Sequence, residues 1–220
     1  MSDTIFYDEN NNIINNNICE ADEQRLADKY IKYHHVVLEL GARYETVSHI
    51  INKNISVTTN QVSVEPDSRV WSALEKNKEL YNSKYHIVKG FISAEPWRVC
   101  SESGATGYSR TNQFCFSRNL RRTPNKKLSL INQEIGYGTT LVVQENSIIP
   151  SYTLNDIQNS YNLKFNTLVA DCEGYLESFL DGVLRKLQTP PEIMHKLPIS
   201  GKNPQLYDNL RLIIYEADYP

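Results

Sequence analysis

The chain has 220 residues, 40% of them hydrophobic and 22% charged, which is enough for one domain with a buried core. No apolar run approaches the roughly 18 to 20 residues of a membrane span, and the acidic, Asn-rich start has no apolar stretch of the kind a secretory signal needs. A net charge of −3 argues against a protein that is basic throughout and lives on nucleic acid. Membrane proteins, disulfide scaffolds and wholly disordered chains are thereby excluded.

Asn fills six of the ten positions from Asp8 to Asn17, so residues 1–17 are expected as a flexible tail that buries too little to offset its own ordering entropy. Residues 18–220 then form the domain. Glu20 to Tyr33 carries a partial stripe of Leu26, Tyr30, Ile31 and Tyr33 among charges, which predicts a helix. Val36 to Leu40 reads as a buried strand ending at Gly41, and Thr46 to Asn52 as a helix. Gln61 to Glu65 is a second strand, after which Asp67 caps a helix carrying Val70, Trp71 and Leu74. Tyr85 to Val88 is a third strand.

Regularity is lost from about 94 to 135, an irregular insertion that holds Gly104, Gly107 and Pro124. Its 103–133 part has no acid but carries Arg110, Arg118, Arg121, Arg122, Lys126 and Lys127, with Tyr108, Phe114 and Phe116 between them. Such a segment is a solvated loop, a lid selecting an anionic substrate, or a nucleic-acid contact. Thr153 to Tyr161 is a helix, Asn166 to Ala170 a strand, and Tyr175 to Leu187 a helix stopped by Pro190 and Pro191. Leu212 to Glu216 is the last strand. Alternation of apolar strands with helices predicts a doubly wound, mostly parallel α/β sheet with helices on both faces. The four cysteines, Cys19, Cys100, Cys115 and Cys172, form no metal-like spacing and are expected as reduced thiols in a cytoplasmic protein.

Ligands of such sheets sit at the carboxyl ends of the strands. Those ends read Leu38-Glu39-Leu40-Gly41-Ala42, Val64-Glu65-Pro66-Asp67, Ala170-Asp171-Cys172-Glu173-Gly174 and Tyr215-Glu216-Ala217-Asp218, so each delivers carboxylates to one rim. Glu65, an acid ending the second strand, holds the position that grips ribose hydroxyls in nucleoside sites. The Gly41-Ala42 turn lets backbone approach a ligand closely.

These runs resemble the FkbM-type S-adenosylmethionine (SAM)-dependent methyltransferases. The family's acid-x-Gly-Ala-Asn-x-Gly-x-x-Ser turn is similar to Glu39 through Ser48, and its Glu-Pro element to Glu65-Pro66 with Leu74 and Asn77 following. Its Thr-Leu-Asp-Asp element resembles Thr153 to Asp156, its Asp-x-Glu-Gly strand end matches Asp171 to Gly174, and a late acid matches Glu216. The resemblance implies a Rossmann-like methyltransferase with SAM as cofactor, transferring a methyl group to a hydroxyl of a small or sugar-containing acceptor. By motif, Glu39, Gly41, Ala42 and Arg43 would face the methionine end and Glu65 the ribose. Gly90 and Phe91 would lie by the adenine. Asp171 and Glu173 would line the place of transfer, Asp171 as base or hydroxyl orienter, and Glu173 alternatively as a helix cap or, with Asp171, a hard-oxygen ligand.

Two departures stand out. Glu45 and Arg43 replace the family's second glycine and asparagine, which implies an adjusted cofactor pose or a decayed site; Arg43 would offset the added charge by pairing with Glu45 or with the cofactor's carboxylate. The family's final antiparallel hairpin has no counterpart after Glu216, so the last strand is expected as an apolar edge, either in a shortened protein or incomplete reading frame or covered by a second subunit.

Overall fold

The computed structural model describes residues 4–15, 19–92, 127–131, 140–144, 150–171, 176, 179 and 209–216. They belong to two compact units, one of residues 1–90, 163–172 and 209–217, the other of 91–162, 173–208 and 218–220.

The first unit opens with a hairpin, β1 (Phe6–Tyr7) paired antiparallel with β2 (Ile13–Ile14). Residues 4–15, expected as part of a flexible tail, thus fold. The turn is tied by Asp8, whose carboxylate accepts the backbone N–H groups of Asn10 and Asn12, both at 2.8 Å. Phe6 is buried against the rings of His49 and Tyr81.

Next come α1 (Ala21–Tyr30), β3 (Val37–Leu40), α2 (Thr46–Asn54), β4 (Gln61–Glu65), α3 (Trp71–Leu80) and β5 (His86–Lys89). After the segment belonging to the second unit, the chain returns through β10 (Thr167–Ala170) and β11 (Leu212–Tyr215). These strands form one parallel sheet in the order β11-β10-β3-β4-β5, each in register with its neighbour. This is a Rossmann-like α/β sheet.

Because side chains alternate across a strand, Val37, Val169 and Ile214 share one face. There they meet Ala27 of α1 and Ile31 just beyond its end, with Val47 and Ile51 of α2. Each buried Val or Ile side chain among them contributes roughly 1.5–3 kcal/mol relative to exposure. The opposite face presents Leu38, Leu40, Val62, Val64, Leu168 and Ala170, all buried, as expected of strands covered on both sides. Among the described residues β11 is an edge, with Ile213 and Tyr215 exposed on it, as its sequence suggested.

Asp67 does not cap α3, whose N-cap is Val70 with no side-chain cap bond. Its carboxylate instead accepts the Arg69 backbone N–H (3.0 Å) and pairs with the Arg69 guanidinium. A nearby arginine outcompetes the helix end for that acid.

In the second unit β6 (Phe91–Ile92) pairs in parallel with β9 (Ser151–Tyr152), and β7 (Lys127–Ile131) antiparallel with β8 (Thr140–Gln144). The last part of the expected irregular insertion is therefore a strand; the remainder, with Arg110, Arg118, Arg121, Arg122 and Lys126, lies outside the described residues. Helix α4 (Leu154–Tyr161) starts at a capping box in which Thr153 and Asp156 bond each other's backbone N–H groups. Leu176 and Phe179 are helical, and the rest of the helix expected over 175–187 lies outside the described residues. No helix among the described residues is long and apolar enough to cross a membrane.

Candidate functional site

The sheet order reverses between β3 and β10, since the chain runs outward from β3 through β4 and β5 and then returns on the other side. In open α/β sheets this switch point is where ligands bind, outside the carboxyl ends of the strands. Gly41 and Asp171 stand at the ends of these two strands. Asp171 donates its backbone N–H to the Leu40 carbonyl at 3.0 Å, and its own carbonyl lies against Gly41. A Cβ on Gly41 would fall 1.7 Å from that oxygen, and Gly41 has φ +89°. Only glycine meets both conditions.

From Gly41 the chain curls over β4, Gly41 and Ala42 both donating to the Val64 carbonyl at 2.9 and 3.3 Å. Arg43 (φ 39°) and Glu45 (φ 75°) are both left-handed, and the Glu45 N–H closes the turn on the Ala42 carbonyl. The departure seen in the sequence is therefore real in conformation: a glutamate occupies a backbone position that favours glycine, at a cost of about 1 kcal/mol or more.

Glu45 is fully buried, and neither carboxylate oxygen is in hydrogen-bonding geometry with a partner. Burial pushes its acid up to about 8, with the Glu39 charge adding and Ser83 and Lys78 countering. The expected Arg43–Glu45 pair is not formed among the ion pairs of the described residues. Arg43 instead lies 4.7 Å over the Tyr44 ring and donates to the Tyr44 hydroxyl at 3.2 Å.

Glu65 ends β4 as expected, with the Arg43 N–H on Oε2 (2.8 Å) and the Asp67 N–H on Oε1 (2.7 Å). Burial raises it to about 7 against those two bonds. Its carbonyl accepts from the Gly90 N–H at 3.0 Å and the Trp71 indole at 2.8 Å. A carboxylate holding one donor on each oxygen still has lone pairs for two hydroxyls.

Glu39 lies elsewhere. It sits between the sheet and α2, nearly fully buried, and Oε2 accepts from Ser48 and Ser63 at 2.5 Å each and from Gln61 at 3.4 Å. Gln61 also donates to the Ser48 carbonyl and receives Asn52. Burial raises Glu39 to about 7, opposed by these three side chains. The structure thus brings Gly41, Ala42, Arg43, Glu65, Gly90 and Asp171 along the ends of β3, β4, β5 and β10, and sets Glu39 apart in the interior. Phe91 begins β6 of the second unit and is buried; Glu173 lies outside the described residues.

Two residues around this turn, Tyr44 and Arg69, were given no role by the sequence. Tyr44 donates its hydroxyl to Glu9 of the hairpin, and Arg69 holds Asp67 below its ordinary range although burial opposes it. Asn77 is fully buried in mid-helix, where asparagine is a poor choice, and that misfit is the signal that it serves a specific contact.

No family model and no curated protein matches the sequence. Among solved structures, the chain is similar to the N-terminal domain of EvdMO1 crystallised with SAH bound. That similarity amounts to 11% identity and a TM-score of 0.28, over 66% of this chain and 70% of that one. The Rossmann-like fold stands on the chain's own parallel strand order and on the glycine turn at its switch point.

Proposed function

We propose that this chain is a SAM-dependent methyltransferase of the FkbM-like kind, acting on a hydroxyl of a small or sugar-containing acceptor. The observation that carries the reading is the constellation at the switch point: a positive-φ glycine closing β3 against Asp171, beside a buried glutamate that ends β4. The donor set suits the cofactor. Glu65 has acceptor capacity for the two ribose hydroxyls, and the Gly41–Ala42 backbone presents no side chain larger than a methyl group. SAM, when bound, supplies a methyl group on a sulfonium whose charge disappears on transfer.

The protein's own work is then positioning and proton removal. Glu65 orients the ribose, and hydroxyl donors that bond its charged form would draw its raised acid back down. Gly90 holds the β5 end to the Glu65 carbonyl. Asp171, anchored through its backbone N–H to β3, would orient the acceptor hydroxyl or take its proton. The basic 103–133 segment would favour an anionic acceptor.

Titration calorimetry with SAM and with S-adenosylhomocysteine tests the reading. Micromolar binding is expected, weakened at least about tenfold by Glu65→Ala, the loss of two charge-assisted hydrogen bonds. No heat from the unaltered chain at ligand concentrations up to about 1 mM would refute it. A second reading, a protein that keeps the fold without the cofactor, is favoured by the left-handed Glu45. It predicts that Glu45→Gly binds where the natural chain does not.

A further inference from the structure

The β1–β2 hairpin is fastened to the same turn that the proposed cofactor site uses. Tyr44 is the hub. Its ring packs on Val70 and Ala73 of the α3 region, with Ile14 of β2 against them. Its hydroxyl donates to the Glu9 carboxylate in the hairpin turn and receives Arg43. Its carbonyl accepts from Asn77 Nδ2 at 2.9 Å. Asn77 also joins both backbone groups of Tyr7, accepting its N–H at 3.0 Å and donating to its carbonyl at 2.9 Å. One buried side chain therefore ties the hairpin and the turn together.

The turn has need of such support. Arg43 and Glu45 occupy left-handed backbone that L residues take only when their surroundings impose it. Within the turn itself the backbone is closed by the Glu45 N–H bond to the Ala42 carbonyl. Because the Arg43 N–H is one of the two donors on Glu65, a change in the turn is felt directly at the carboxylate proposed to hold the ribose.

We propose that the hairpin is a strap that fixes the β3–α2 turn, with Tyr44 and Asn77 as positioning residues for the cofactor site. The second half of this proposal rests on the methyltransferase reading; the first does not.

Amide hydrogen exchange on the full, unliganded chain separates them. Tyr44→Phe keeps the ring packing and removes the hydroxyl, and Glu9→Ala alters only an exposed residue. In both, the Arg43 and Glu45 amides are expected to exchange about five- to tenfold faster, the local-opening equivalent of one lost hydrogen bond, with the Val169 amide unchanged. Glu9→Gln, which retains an acceptor, should restore most of the protection. Unchanged exchange at Arg43 and Glu45, or equal acceleration at Val169, overturns the strap. Affinity for S-adenosylhomocysteine is expected to fall severalfold in Tyr44→Phe; equal affinity with faster exchange overturns the positioning role. A natural chain that does not bind S-adenosylhomocysteine removes the function proposed above, and the exchange result still decides the strap.

Discussion

Glu45 contributes a share of stability that falls as pH rises, and its size follows from its burial. An unfolded glutamate titrates near 4.5, whereas burial holds Glu45 near 8 in the fold. Between these values the folded chain keeps a proton that the unfolded chain has released, so unfolding gains about 1.4 kcal/mol per pH unit from this residue. Stability from Glu45 is fully present below pH 4.5 and is lost progressively up to about pH 8. Glu45→Gln keeps the shape and removes the titration. Urea unfolding of both proteins at pH 5 and pH 8 isolates the effect, since the other titrating groups are common to both. The gap between the Gln variant and the natural chain should shift in favour of the variant by about 3 kcal/mol from pH 5 to pH 8. An equal gap at the two pH values would refute the burial of an ionisable Glu45.

Two further outcomes follow from local geometry. Gly41→Ala places a methyl group against the Asp171 carbonyl at positive φ; urea unfolding should show a loss of about 2–5 kcal/mol from strain and overpacking combined, and a near-neutral result would mean the turn can reshape. Thr153→Ala removes one half of the α4 capping box, for which thermal or urea unfolding should report about 1 kcal/mol of lost stability.

Much of the sheet could be read from the chain because its signals are local. Val37–Leu40, Gln61–Glu65 and Thr167–Ala170 are short apolar or β-branched runs, and Thr153 with Asp156 announces a helix start. The hairpin could not be read that way. Phe6 and Tyr7 are two aromatics in an Asn-rich stretch, and what buries them is supplied by His49, Asn77 and Tyr81, far along the chain. Glu39 shows a different limit. Reading it as a strand-end acid points it at a ligand, yet its partners were visible in alternation: Gln61, Ser63 and Glu65 recur every second residue, so β4 turns a polar face toward the neighbouring strand's acid. Asp67 could be seen as an acid before a helix, but not that Arg69, two residues on, would claim it.

The separation between the hairpin and its docking site has a consequence for synthesis. Tyr7 meets Asn77 across 70 residues, and Ile5 meets Tyr81 across 76. Residues 5–14 leave the ribosome long before α3 exists, and at ordinary elongation rates they wait roughly 4 to 15 seconds for it. During that interval Phe6 lacks Tyr81, one of the two rings that cover it. The hairpin can therefore dock only once α2 and α3 have been laid down, before β10 and β11 complete the sheet.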